Sequence, residues 1–225
     1  MHNITLIGTY HIEKGACNVD ELYKIVDAIK PDVIFEEIPP SFFDRFYIKK
    51  TDSRLESDTI NRYLEKHRIE HIPVDYDDYD FLIKIVNENK IAHEQVERRS
   101  RTYRFLCDQI SQASFLYGFK FLNSIESENF HRALDIEVIE ALKEFKNENN
   151  IVRNDRFNEI MTHKRENIML DNIYQYCMEH DFNTGLFFIG SAHRYTIIEK
   201  IQKYETEHEL KINWNYRNYE GIIRE

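Results

Sequence analysis

Cysteine is scarce in this chain, and none of it is paired by spacing. Cys17, Cys107 and Cys177 are the only three in 225 residues, they lie far apart, and their number is odd. No Cys-x-x-Cys pair occurs, so neither a thiolate zinc site nor a disulfide framework is readable, and free thiols fit a reducing compartment. Long apolar runs are missing too. No stretch approaches the roughly 18 apolar residues that a membrane helix needs. The first residues lack the basic stretch and the apolar length of a signal peptide. The expectation is a cytoplasmic protein with no membrane partner. Positive charge is also in short supply: 30 Lys and Arg stand against 40 Asp and Glu, a formal net charge of -10. That balance excludes a bulk electrostatic grip on nucleic acid. There is no tandem repeat and no low-complexity tract.

A core, by contrast, is well provided for. Hydrophobic residues make up 42% of the chain and aromatics 13%, which excludes disorder for most of it. The length suits one large domain, or a domain with an inserted piece. Ile4–Ile7 reads as a short buried strand ending at Gly8. Asn18 with Glu21 resembles a capping box, and Leu22, Ile25, Val26 and Ile29 follow helical spacing until Pro31. Val33–Phe35 is a second strand, closed by Glu36, Glu37 and Pro39-Pro40. A helix around Ile60–Leu64 leads to a third strand, Ile69–Val74, which ends at Asp75. This β-α-β-α-β order implies right-handed crossovers and a parallel sheet. Helices then take over: Phe81–Val86, Val96–Leu122 and Ile136–Phe145, followed by a polar break at Asn147–Asn150. The α/β pattern resumes with a helix over Phe157–Met178, a strand at Gly185–Gly190, a helix over Thr196–Tyr204 and a closing strand at Lys211–Tyr216. The expected fold is a single three-layer α/β domain with a mostly parallel sheet. Residues 1–78 and 151–225 build the sheet core, and 79–150 form a helical insertion or cap.

Two strand ends carry the same punctuation. LIGTYH runs from Leu6 to His11, and FIGSAH from Phe188 to His193. Six glycines and ten histidines in 225 residues give about 0.27 Gly-x-x-His matches by chance, and two occur, each after an apolar strand. A glycine there lets the backbone turn sharply, so the histidine can fold back over the strand end. In a parallel sheet, ligands sit beyond the carboxyl ends of the strands. His11, the Glu36-Glu37 pair, Asp75 and His193 all fall at that edge. Two histidines and a carboxylate suit Mn, Fe, Co or Zn, and without metal the same groups make a general base and its orienter. Arg165 stands on the apolar face of its helix, four residues after Met161 and three and four before Ile168 and Met169. Buried arginine is rare unless paired. Its candidate roles are a pair with Glu36, Glu37 or Asp75, or a clamp for an oxyanion or phosphate. The basic run VERRSRTYR reads as a solvated helix face, and Cys17 as a small buried thiol.

The stretches LIGTYHIEKGACNVDELYKIVDAIKPDVIFEEIP and FFIGSAHRYTIIEKI, with HKREN between them, resemble the TraB/PrgY/Tiki family, which belongs to a wider group with erythromycin-esterase-like and ChaN-like proteins. The resemblance covers about residues 4–40 and 160–201. It rests on two Gly-x-x-His motifs, a Glu closing the second strand and an Arg on the helix before the second motif, here His11, Glu37, Arg165 and His193. It implies a metal-dependent hydrolase that cleaves a peptide or ester bond, with His11, Glu37 and His193 as ligands of a divalent Mn, Co, Fe or Zn. In that reading Glu37 or Asp75 takes a proton and Arg165 stabilises the oxyanion. Esterase-like members imply metal-free ester hydrolysis, ChaN-like members haem binding without turnover, and a signalling module on the same fold is a further alternative. The chain departs from the family in lacking membrane segments, in carrying Ala16-Cys17 where a serine-containing stretch is usual, and in its Glu36-Glu37 doublet. The sequence leaves open the substrate, and the oligomeric state, of which a homodimer is one arrangement.

Overall fold

The structure is a computed structural model that describes residues 2–217 and 219–222. It begins with strand β1 (His2–Thr9), helix α1 (Val19–Ile29), strand β2 (Val33–Glu36), a short helix α2 (Phe43–Tyr47), helix α3 (Leu55–Leu64) and strand β3 (Glu70–Pro73). Four helices follow: α4 (Tyr79–Arg99), α5 (Arg101–Leu122), α6 (Ile125–Glu144) and α7 (Glu148–Asn158). The chain closes with α8 (Arg165–Glu179), β4 (Thr184–Gly190), α9 (Arg194–Glu207), β5 (Ile212–Asn215) and a last turn of helix α10 (Tyr219–Ile222). The five strands form one sheet in the order β3-β2-β4-β1-β5, and every pairing is parallel. This is the expected three-layer α/β fold.

Strand alternation sorts the core into two layers, because successive side chains point to opposite faces. Ile4, Leu6, Val33, Phe35, Phe187 and Ile189 face α8 and α9, where Met169, Leu170, Ile173, Ile197 and Ile201 cover them. Ile7, Ile34, Leu186 and Phe188 face α1 and α3, meeting Leu22, Ile25, Val26, Ile60 and Tyr63. Each such side chain contributes about 1.5–3 kcal/mol on full burial, and the nearly continuous apolar strands follow from burial on both faces. Helix α1 starts where the Asn18 side chain accepts the Glu21 N–H and stops at Lys30, which adopts a left-handed conformation just before Pro31.

The helical segment differs from the sequence expectation at its joints. Val96–Leu122 is not one helix: Ser100 ends α4, and its hydroxyl accepts the Tyr103 N–H to start α5. Near its end α5 kinks at Gly118, with φ +56°, where a Cβ would lie 2.5 Å from the Ala16 carbonyl oxygen. The polar NENN stretch breaks the helices only at its first residue and does not end the helical segment. Asn147 caps α7, which packs against α4, so the helical segment runs on to Asn158. It has a small core of its own, with Ala92, Val96, Tyr103, Ala141 and Leu142.

Two side chains fasten this segment to the sheet. β5 pairs with β1 only as far as Thr5, leaving the outward peptide groups of Gly8 without a strand partner. Asn123, just after α5, supplies them: its Oδ1 accepts the Gly8 N–H at 2.7 Å and its Nδ2 donates to the Gly8 carbonyl at 3.1 Å. Arg194, at the start of α9 and 1% exposed, donates to that same Oδ1, to Glu128 on α6 and to the Tyr216 carbonyl. Breaking a buried pair leaves a charge without compensation. Replacing Arg194 by methionine leaves Glu128 with the half-exposed Arg217 as its remaining cation. The free energy of unfolding in urea should then fall by about 3 kcal/mol, and a loss within about 0.5 kcal/mol, the range of ordinary surface substitutions, would remove Arg194 from this role.

Candidate functional site

The carboxyl ends of β1, β2 and β4 lie side by side, with Thr9 in register with Gly190, and Glu36 with Phe188. The loops leaving them border an open cavity of about 440 Å³ lined by Tyr10, His11, Glu37, Arg54, Arg165 and His193, together with His131 and Ser191. Four of the sequence-nominated residues therefore meet in one cavity.

Arg165 stands at the first turn of α8, directly after a single π-helical turn over Glu159–Lys164. Such a turn adds a residue to the helix and re-aims the side chains that follow. It also disturbs the carbonyl ladder, and Lys200 from α9 donates to the Thr162 and His163 carbonyls at 2.9 and 3.0 Å. The Arg165 guanidinium then reaches three strand ends at once. It grips both oxygens of Asp75 beyond β3, at 2.7 and 2.6 Å, donates to Glu37 Oε1 beyond β2 at 2.7 Å, and lies 3.3 Å from His193 Nε2 beyond β4. Asp75 also accepts the Tyr76 N–H and is absent from the cavity wall, so it is the holder of Arg165. The doublet is resolved as well. Glu37 turns into the cavity, while Glu36 turns away to accept from Tyr47 and to pair with His71.

Both histidines are aimed the same way. His193 Nδ1 meets Glu166 Oε1 at 2.8 Å, and Glu166, fully buried, also accepts the Thr196 hydroxyl and pairs with Lys200 at 3.0 Å. His11 Nδ1 meets Glu56 Oε1 at 2.9 Å, and Glu56 also accepts from Thr9. In each case a buried carboxylate fixes the ring through Nδ1 and leaves Nε2 facing Glu37, at 3.6 Å for His11 and 3.8 Å for His193. His11 has φ +59°, a left-handed conformation costing roughly 1–2 kcal/mol for a residue with a Cβ. The Leu55 N–H, bonded to the His11 carbonyl at 3.0 Å, helps to hold it. Gly190 keeps the approach open: a Cβ there would lie 2.6 Å from His11 Nε2, and its N–H donates to Glu37 Oε2 at 2.5 Å.

The electrostatics follow from these contacts. Burial raises the Glu37 pKa, but Arg165, His11, His193 and the Gly190 N–H outweigh it and hold the carboxylate far below its usual range. Burial lowers the pKa of His11, and Glu56 and Glu37 more than compensate, so it is raised. Burial, with a smaller effect from His193, drops His131 to about 4, so its imidazole is neutral at neutral pH. Burial pushes Cys17 up to about 11, leaving an unreactive thiol.

Glu56, Glu166, Lys200, His131 and Arg54 were not anticipated from the sequence. Glu166 lies in the HKREN stretch, and Lys200 is in the second turn of the helix that His193 precedes, so both carried a readable signal. Glu56, Arg54 and His131 carried none. A divalent metal on His11, Glu37 and His193 does not fit these side chains as they are placed. The Arg165 guanidinium occupies the space between Glu37 and His193, and the second Glu37 oxygen is bonded to Gly190. Among the described residues, no group of three His, Cys, Asp or Glu side chains is arranged to hold a metal ion.

Two outcomes are expected. Glu56→Gln removes the charge that raises His11, so the His11 pKa should fall below the wild-type value in an NMR titration of the ring protons; an unchanged value would rule out Glu56 as its cause. For His131, the folded value of about 4 lies below the ordinary 6.5. The unfolded chain therefore binds more protons between those limits, and the stabilisation is complete above pH 6.5 and lost as the pH falls. Between pH 7 and pH 5 the wild type should lose about 2 kcal/mol that His131→Gln does not lose, measured by urea unfolding at both pH values. Compared with known proteins, the chain matches no protein-family model, no curated protein and no solved structure, so what the site does is read from its own geometry.

Proposed function

We propose that this cavity hydrolyses an ester by acid–base catalysis carried by its own side chains, without a metal in the reacting position. The observation that supports this is the pair of histidines, each oriented through Nδ1 by a buried carboxylate, with both Nε2 atoms turned toward Glu37 and that of His193 also beside the Arg165 guanidinium. This is the arrangement of a general acid and a general base flanking a reacting bond.

The contacts divide the two roles. Arginine has only donors, so His193 Nε2 accepts from Arg165, and its proton sits on Nδ1 toward Glu166. His193 is then the base once the Arg165 NH1 hydrogen, which occupies its single Nε2 lone pair at 3.3 Å in the resting site, gives way to the incoming water. His11 Nε2 faces the Glu37 carboxylate and bears a proton, so His11 is the acid. A water molecule attacks the ester carbonyl carbon and passes its proton to His193 Nε2. Negative charge develops on the carbonyl oxygen. Four of the five Arg165 N–H groups are engaged by Asp75, Glu37 and His193, leaving one on NH1 for that oxyanion. Collapse of the tetrahedral intermediate breaks the C–O bond, and the departing alkoxide takes the His11 Nε2 proton. The products are a carboxylic acid and an alcohol, and the proton on His193 returns His11 to its starting state through solvent. Free cysteines at 17, 107 and 177 are compatible with a reducing compartment, which supports a cytoplasmic setting for this activity. No helix among the described residues is long and apolar enough to cross a membrane.

p-Nitrophenyl butyrate is a suitable first substrate. After exhaustive EDTA treatment the wild type should hydrolyse it, and His193→Ala and His11→Ala should each lower kcat/KM by about a hundredfold or more. A rate that appears only when Mn or Co is added back would replace the metal-free reading by a metal-dependent one. A rate equal in wild type and His193→Ala would remove hydrolysis at this site altogether.

A further inference from the structure

Arg54 is the cation of this cavity that has no carboxylate. Its backbone is pinned at the start of α3, where its N–H donates to Ser57 Oγ at 2.9 Å and the same hydroxyl donates to its carbonyl at 3.0 Å. The next residue, Leu55, is bonded to the His11 carbonyl, so Arg54 moves with His11. Its guanidinium lies 5.4 Å from the centre of the Phe46 ring and donates a single hydrogen bond, from NH1 to the Glu37 carbonyl at 3.2 Å. Among the described residues no carboxylate pairs with it. Arg165, in the same cavity, is bound to both Glu37 and Asp75. The contrast is informative because the chain carries ten more acids than bases, so an arginine could readily have been given a partner. Instead Arg54 lines the cavity with one of its five N–H donors engaged by a described residue.

We propose that Arg54 is the anchor for an anionic group of the substrate, a carboxylate or a phosphate, so that the preferred ester carries a negative charge beyond the bond that is cut. A planar guanidinium binds such a group through two parallel N–H···O bonds. The Phe46 ring lies beside the fork, and the bond to the Glu37 carbonyl fixes its distance from the reacting centre. The anion site does not depend on turnover, whereas the substrate class rests on the hydrolase reading.

The test has two arms. In the first, p-nitrophenyl butyrate and mono-p-nitrophenyl succinate are compared; they have acyl chains of equal length, and only the second is charged. The wild type should prefer the anionic ester by about tenfold to a hundredfold in kcat/KM. Arg54→Gln should bring that ratio close to one, mainly through KM, and Arg54→Lys should keep part of it. In the second arm, calorimetry measures binding of succinate, of inorganic phosphate and of uncharged succinamide. Succinate or phosphate should bind the wild type, succinamide should not, and Arg54→Gln should weaken the anion by at least about tenfold. The tighter of the two anions identifies the group. If neither ester is cut but the anion binds and Arg54→Gln releases it, the hydrolase reading falls and the anion site stands. If the anions bind wild type and Arg54→Gln equally, or bind neither, the proposal is overturned, whatever the esters do.

Discussion

The site depends on one guanidinium buried among carboxylates. Arg165 leaves α8 and is held by Asp75 beyond β3, by Glu37 beyond β2 and beside His193 beyond β4. No one of these contacts would justify burying the charge, because desolvating an ion costs several kcal/mol even in a favourable interior. Two carboxylates and a bidentate grip offset that cost together. Once Arg165 is in place the ends of three strands are fixed relative to one another, and Glu37 has no freedom to turn away. Its second oxygen, bonded to the Gly190 N–H, ties the same carboxylate to the backbone of β4. The sheet thus supplies a rigid edge, and the arginine converts that edge into a geometry.

Around this centre, support is arranged in pairs that repeat a single idea. Each histidine leans on a carboxylate from a helix that follows a different strand: Glu56 from α3 for His11, Glu166 from α8 for His193. Each carboxylate is supported again, by Thr9 in one case and by Thr196 and Lys200 in the other. The helical segment contributes His131 to the cavity wall, where its Nε2 lies 3.4 Å from Ser191 Oγ. It keeps its place through Asn123 and the buried Arg194–Glu128 pair. Those contacts explain why a segment with only a small core of its own stays registered against the sheet edge.

Much of this was legible in the sequence, for a physical reason: strands buried on both faces are apolar throughout, so their ends stand out, and chemistry collects at those ends. His11, Glu37 and His193, nominated from their place at strand ends, line one wall, and Arg165, nominated for an apolar helix face, reaches them. Other parts were hidden. Glu56 lies in the polar stretch SRLESDTI, where nothing separates a buried carboxylate from a solvated one. Arg165 and Glu166 are neighbours and would diverge by about 100° on an ordinary helix. They serve one site because they act on different partners, Glu37 for one and His193 for the other, in a helix whose preceding turn is π-helical. Val96–Leu122 looked continuous because Ser100 is a weak mark in a charged run, although its hydroxyl is enough to end one helix and start the next. Asp75 was legible as a residue at the sheet edge, but only the structure distinguishes an acid that faces the cavity from one that holds the arginine.

The repeated Gly-x-x-His motif also bears on how, in the proposed hydrolysis, one site would obtain both an acid and a base. Two identical side chains in equivalent places would have identical chemistry if their surroundings matched. Their surroundings differ at Nε2. His11 Nε2 approaches Glu37 Oε2, an acceptor, which favours a proton on that nitrogen. His193 Nε2 approaches Arg165 NH1, a donor, which favours a lone pair there. Glu37 and Arg165 are bonded to one another, so the two preferences are set by a single ion pair read from its two ends. Removing either member changes both histidines together. That coupling is why the pair, and neither histidine alone, is the unit from which the function of this cavity follows.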